Sequence, residues 1–240
     1  TGHGKNLWDL NPQLSAKVKS LYDDAKKCLL AELTPDFVKT IPSVLQVKTL
    51  SKDRNDYISH PETGEMLSPE SIVALERLRD SWRSSPNPVK GQIVISDGLN
   101  AKAIMDKGHL VPYLEEMRRL LAEAGLTMSE TNVVVTGGRV RAGYRTGELL
   151  FRESDPNAFR GILHIIGERP GTMHHSYSVY ITVLKGKAWK EGKVDHEVTK
   201  LVCNIADTAL SPKDAANETL TIIREVVGKK AKSSRRHGKE

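Results

Sequence analysis

The chain holds only two cysteines in 240 residues, Cys28 and Cys203. They lie far apart and neither belongs to a metal-spaced pair, which excludes a disulfide scaffold and reads as free thiols in a reducing compartment. Aromatic residues are scarce, at 5%, so the core is expected to be aliphatic. No apolar run reaches membrane-spanning length and no signal-peptide pattern occurs, giving the expectation of a soluble, unsecreted protein without a membrane partner. The first residue is threonine, which leaves open that residues precede it. Nucleotide signatures are missing as well. Gly137-Gly138 lacks the G-x-G-x-x-G spacing, and no P-loop is present. No Ser/His/Asp or Cys/His set can be assigned from spacing, so no catalytic residue is named. His174 and His175 are adjacent, and neighbours on a strand point to opposite faces, so the pair cannot share one metal there. No metal set is expected.

Positive charge is present but localised. Of the net charge of +6, the last twelve residues, KKAKSSRRHGKE, carry +5, leaving +1 for the other 228. A block of like charge seldom folds, so residues 229–240 are expected to form a basic, disordered tail. The nearly neutral body offers no phosphate track, and no nucleic-acid partner is expected.

Apolar residues at Val18, Leu21, Ala25, Leu29 and Leu30 recur at helical spacing and predict a helix from Leu14 to Leu33. Thr34-Pro35 opens a short helix through Val38. Val44 to Leu50 is ambiguous, and residues 51–66 are polar and turn-rich, predicting a loop. Ser68-Pro69-Glu70 combines a serine cap, proline at the first position and acid in the first turn, and starts a helix to about Arg83. Ser84-Ser85-Pro86-Asn87-Pro88 has linker composition. The expected organisation is a helical N-terminal region over 1–85, an α/β domain over 89–228 and the tail over 229–240.

Within the α/β domain, Gln92 to Ile95, Val133 to Val135 and Ile162 to Ile166 are short apolar runs bounded by glycine and charge, as in strands buried on both faces. The last two, with a helix-length segment between them, form a β-crossover-β unit expected to set parallel strands side by side. Tyr177 to Leu184 and Leu201 to Ile205 are further strands. Ala101 to Met105, Pro112 to Ala124 and Ala215 to Val227 are helices. The turns after four strand ends share one composition: Ser96-Asp97-Gly98-Leu99-Asn100, Gly137-Gly138-Arg139-Val140, Gly167-Glu168-Arg169-Pro170-Gly171 and Asn204-Ile205-Ala206-Asp207. Glycine permits close backbone approach and helix N-termini offer free N–H groups, so such an edge can hold a large ligand with phosphate or amides. Ordinary βα turns would carry the same residues.

Ile95-Ser96-Asp97-Gly98-Leu99, Gly138-Arg139-Val140 with Gly147-Glu148, Gly167-Glu168-Arg169-Pro170-Gly171 and Asn204-Ile205 occur in that order, and together resemble the small (light) subunit of ethanolamine ammonia-lyase over about residues 40 to 228. The resemblance implies a Rossmann-like, mostly parallel sheet flanked by helices. It implies a hetero-oligomer with a TIM-barrel large subunit, and base-on adenosylcobalamin as cofactor. The absence of D-x-H-x-x-G, the arrangement that supplies a histidine to cobalt, fits the base-on state. It further implies a cytoplasmic setting, with packaging in a bacterial microcompartment as an option. Carried over by residue, the cofactor contacts fall on Val140 and Glu168, with Asp97, Gly98 and Arg169 in the same motifs. The cysteine of the family's C-x-S-N-I falls on Leu201 and its serine on Cys203, so Cys203 would act from a shifted position. The alternative is a stand-alone Rossmann-like paralogue that binds another nucleotide-like ligand and has no lyase activity.

Overall fold

The N-terminal helices begin where the side chains can cap them. In the computed structural model, which describes residues 6, 9–171 and 175–236, α1 (Pro12–Leu30) starts with the Asn11 side chain accepting from the Leu14 N–H. Thr34 does the same for α2 (Pro35–Val38), Asp53 for α3 (Arg54–Ser59) and Ser68 for α4 (Pro69–Ser81). Three of the four have proline in the first turn, where no N–H is required. Between α2 and α3 lies a strand, β1 (Val44–Lys48). The remaining elements in order are β2 (Gly91–Ser96), α5 (Ala101–Met105), α6 (Leu110–Glu123), β3 (Asn132–Thr136), α7 (Val140–Phe151), β4 (Phe159–Gly167), β5 (Tyr177–Lys185), α8 (Gly186–Glu191), β6 (Lys200–Ile205) and α9 (Pro212–Arg236).

The six strands form one sheet in the order β1-β3-β2-β4-β5-β6. The first four are mutually parallel, whereas β4–β5 and β5–β6 pair antiparallel. The sheet is therefore mixed. The connection from Gly167 to Tyr177 is too short for the dozen or more residues a parallel crossover needs. Side-chain alternation divides the core. Ile93, Ile95, Val134, Leu163, Ile165 and Val179 face α6 and α9. Val94, Val133, Val135 and Ile162 face α4, α7 and α8. Every residue of β2 is buried, as its apolar run between glycine and charge requires.

Four expectations change. β3 and β4 are parallel but not neighbours, because β2 inserts between them. The ambiguous segment is the edge strand β1, so the region expected to be helical contributes to the sheet across the 85–89 boundary. The polar segment 51–66 contains α3. The basic segment does not start a disordered tail at 229, since α9 continues to Arg236. The helix predicted from Leu14 is present as α1, yet Val18, Leu21, Tyr22 and Leu30 on it are exposed. Among the described residues no helix is long and apolar enough to cross a membrane.

Candidate functional site

Register fixes where the loops lie. Ser96 pairs with Val135 on one side and with Ile166 on the other, so β2, β3 and β4 end level and their loops share one edge. From β2 the chain leaves to the α6 face, and from β3 to the α7 face. Such a divergence opens a crevice at the carboxyl ends, the usual ligand position in α/β sheets. Here the crevice is closed from below by the protein itself. Asp97 is fully buried and accepts from the Gly137 and Gly138 N–H groups, at 3.3 and 3.2 Å, and from Arg54 Nη1 at 3.4 Å. Burial pushes its carboxyl up to about 6, against the pull of Arg54 and the two N–H groups.

The loops also interlock. Gly98 has φ +57, and a Cβ there would strike the Gly167 carbonyl and come within 2.6 Å of Ile166 Cγ1. The Leu99 N–H donates to that same Gly167 carbonyl at 3.1 Å. Behind them Ser96 Oγ and His164 Nε2 lie 2.7 Å apart, and burial lowers His164 to about 4, so it is neutral at pH 7. A Cβ on Gly143 of α7 would run into the His164 ring, so glycine lets the helix lie on the sheet at this point.

Above this floor is a cleft of about 180 Å³ lined by Tyr57, Gly98, Leu99, Arg139, Val140, Ile166, Gly167, Glu168, Arg169 and Tyr180. Its wall is a cation–π stack: the Arg54 and Arg139 guanidinium carbons sit 4.5 and 4.6 Å from the Tyr57 ring centroid. Arg139 Nη2 donates to the Tyr57 carbonyl at 2.8 Å, while its buried Nε has no partner. Arg139 precedes α7 without a side-chain cap, and the Ala142 N–H turns back to the Arg139 carbonyl at 2.9 Å. Opposite stands Tyr180, its phenol raised to about 12, first by burial and then by the Glu168 charge. A carboxylate, a guanidinium, the uncapped start of α7 and apolar Val140 and Leu99 thus face one space. That set can pair with carboxamides, accept a phosphate and pack an aromatic base.

The family model described as "Ethanolamine ammonia-lyase light chain (EutC)" matches residues 4–234. The chain belongs to the ethanolamine ammonia-lyase light-chain family. Relatives of this light-chain family include the ethanolamine ammonia-lyase small subunit of Bradyrhizobium diazoefficiens, 32% identical over 184 residues, which are 76% of this chain and 63% of that protein. The small subunit of Pseudomonas putida is 32% identical over 182 residues, 75% of this chain and 60% of that protein. That of Pseudomonas fluorescens is 30% identical over 182 residues, with shares of 75% and 59%. The chain thus spans about three fifths of the length of these light-chain relatives.

Of the residues expected from the light-chain motifs, Gly98, Val140, Glu168 and Arg169 line the cleft. Asp97 does not, because it lies beneath the loops with its oxygens engaged. Leu201 and Cys203 are exposed on β6, where Leu201 is the register partner of Tyr180 at the cleft. Sequence reasoning named Arg139 only as part of its loop, and missed Tyr57 and Tyr180. Asp53 three residues before Asp56 is a cap signal for α3 that could have placed Tyr57 on a helix. Nothing in the sequence signals that Arg139 would stack on it. His174 lies outside the described residues, and His175 precedes β5 rather than standing on it.

Proposed function

We propose that this chain is the small subunit of an adenosylcobalamin-dependent ethanolamine ammonia-lyase, and that it holds one side of the cofactor while a TIM-barrel large subunit holds the other and the substrate. The observation that carries the reading is the convergence of Gly98, Val140, Glu168 and Arg169, from three separate loops, on one cleft. The unpartnered Arg139 Nε and the uncapped start of α7 supply donors that a phosphate or a carboxamide rim would satisfy. The parallel half of the sheet, helices on both faces, supports a Rossmann-like reading of that half. A cleft of about 180 Å³ accommodates one edge of a corrinoid, in keeping with a shared site.

When bound, adenosylcobalamin supplies the radical that turns ethanolamine into acetaldehyde and ammonia. This chain's part is binding and orientation. Glu168 accepts from amide groups, Arg139 and the α7 N–H groups meet negative charge, and Val140 and Leu99 pack against an apolar face. Two free thiols fit a reducing, cytoplasmic setting.

Co-expression with the large subunit and gel filtration with adenosylcobalamin tests the proposal. A corrinoid spectrum that travels with the assembled chains is expected, and Glu168→Gln should lower its retention about tenfold without shifting Tm. Absence of any association would favour a stand-alone binding protein. A lowered Tm with full retention would assign Glu168 to the scaffold.

A further inference from the structure

Three side chains with metal-binding donors meet at a place that shares no residue with the cleft. Cys28 Sγ lies 3.2 Å from His175 Nε2 and 3.9 Å from Asp24 Oδ2, and His175 Nε2 lies 3.2 Å from Asp24 Oδ2. Asp24 and Cys28 are one turn apart on α1, a spacing that stacks them on one face. His175 arrives from the connection between β4 and β5. On its far side, His175 Nδ1 lies 2.6 Å from Asp106 Oδ2, just after α5. We propose that Cys28, His175 and Asp24 form a binding site for a zinc-class divalent ion, with Asp106 as the outer partner of the histidine and a water in the fourth position.

The spacing agrees with that coordination. Metal–sulfur bonds of about 2.3 Å and metal–nitrogen or –oxygen bonds of about 2.0–2.1 Å set tetrahedral donors roughly 3.3–3.6 Å apart, and the three distances bracket this range without an ion to draw them together. The second contact of the histidine is the usual one for a ligand: a carboxylate on Nδ1 keeps the proton there and turns the Nε2 lone pair toward the metal. With that tautomer, Nε2 and Asp24 Oδ2 are two acceptors facing each other. A second proton on His175 would reconcile that pair, while a borderline-soft cation satisfies the nitrogen, the oxygen and the sulfur together. A thiolate in the set disfavours magnesium and calcium, which take oxygen.

Cys28, His175 and Asp106 also have the relative order of a nucleophile, base and orienting acid. Two facts oppose that use. Cys28 is 0% exposed, so no substrate reaches its sulfur. Burial, and then the Asp24 charge, push its thiol up rather than toward thiolate. The carboxylate that hinders a nucleophile is a natural ligand for a cation, and a bound cation reverses its effect on the thiol. The ion has an entry path, because the Asp24 and His175 side chains are 51% and 26% exposed. Lys102 and Lys27 are nearby competing cations; the Lys102 Nζ is 3.8 Å from Asp24 Oδ1, which leaves Oδ2 for the metal.

Sequence spacing could not expose this set, because Cys28 and His175 are 147 residues apart. The test is titration of the full chain, stripped of metal and corrinoid, with Co²⁺ as a spectroscopic probe. One equivalent per chain should bind with thiolate-to-cobalt charge-transfer absorption, displaced by Zn²⁺. That band should vanish in Cys28→Ser and persist in Cys203→Ser. His175→Gln should weaken binding at least tenfold, and Asp106→Asn about 10–100-fold with the band retained. Zn²⁺ should raise Tm of the native chain and not of His175→Gln, a variant at a half-buried position that keeps the fold if Cys28→Ser does not. Failure of the native chain to bind stoichiometric Co²⁺, or a full-strength band in Cys28→Ser, overturns the site.

Discussion

At the scale of single residues, the floor of the cleft pairs two buried groups whose titrations oppose each other. Asp97 has its carboxyl raised to about 6, so the folded chain binds a proton more readily than the unfolded one, and acidification from 6 toward 4 adds stability. His164 is lowered to about 4, so the unfolded chain takes the proton first, and stability is lost as pH falls from about 6.5 to 4. Over that range the two contributions oppose each other in the native chain. Asp97→Asn should therefore lose more stability than the native chain between pH 6.5 and 4, whereas His164→Gln should lose less or gain. Urea midpoints of the three proteins at pH 7 and pH 4.5 measure this, and parallel pH slopes would refute it. Gly98 gives a second contrast. An alanine there meets both a positive φ and the Gly167 backbone, for about 2–5 kcal/mol, while Gly125→Ala, with φ +67 and open space around it, should lose only about 1–2 kcal/mol.

At the scale of elements, β1 and α4 bind the N-terminal region to the sheet. β1 gives β3 its outer partner along five residue pairs, and Leu75, Leu67 and Val47 pack with Val133 and Phe151 on the α7 face. Trp82 stacks on Phe151 at 5.9 Å. A fragment of residues 89–228 would expose β3 as a bare edge and uncover α7, so it should fail to give cooperative unfolding or near-ultraviolet dichroism; a sharp transition in that fragment would show a self-sufficient domain. The central strands were legible in the sequence because both their faces are apolar. β1 was not, since as an edge strand it buries only Val47, and its pairing is decided by β3 far along the chain. α3 was hidden by its length of six residues, too short to show a period. The insertion of β2 between β3 and β4 was equally invisible: hydrophobic runs mark strands but carry no information about neighbours.

Across the whole molecule, the glycine loops could be read as one rim because parallel strands bring their carboxyl ends together whatever the order of the sheet. The cation–π wall could not, since it joins α3 to the loop after β3 through the Arg139 side chain, which lies over the Tyr57 ring and donates to the Tyr57 carbonyl. The same contrast separates the cleft from the surface beside it. On β6, Leu201 is 44% exposed and pairs with Tyr180 at the cleft edge, so an apolar side chain borders a site too small to enclose the proposed cofactor. A large subunit closing over that cofactor would bury Leu201. Leu201→Glu should then leave the urea midpoint within about 0.5 kcal/mol of native, as surface changes do, while weakening subunit association and corrinoid retention together. Arg139→Met, inside the cleft, should instead lower corrinoid retention with association intact. If Leu201→Glu assembles as the native chain does, the large subunit approaches from another side, and the exposed apolar residues of α1, Val18 and Tyr22 among them, become the next surface to test.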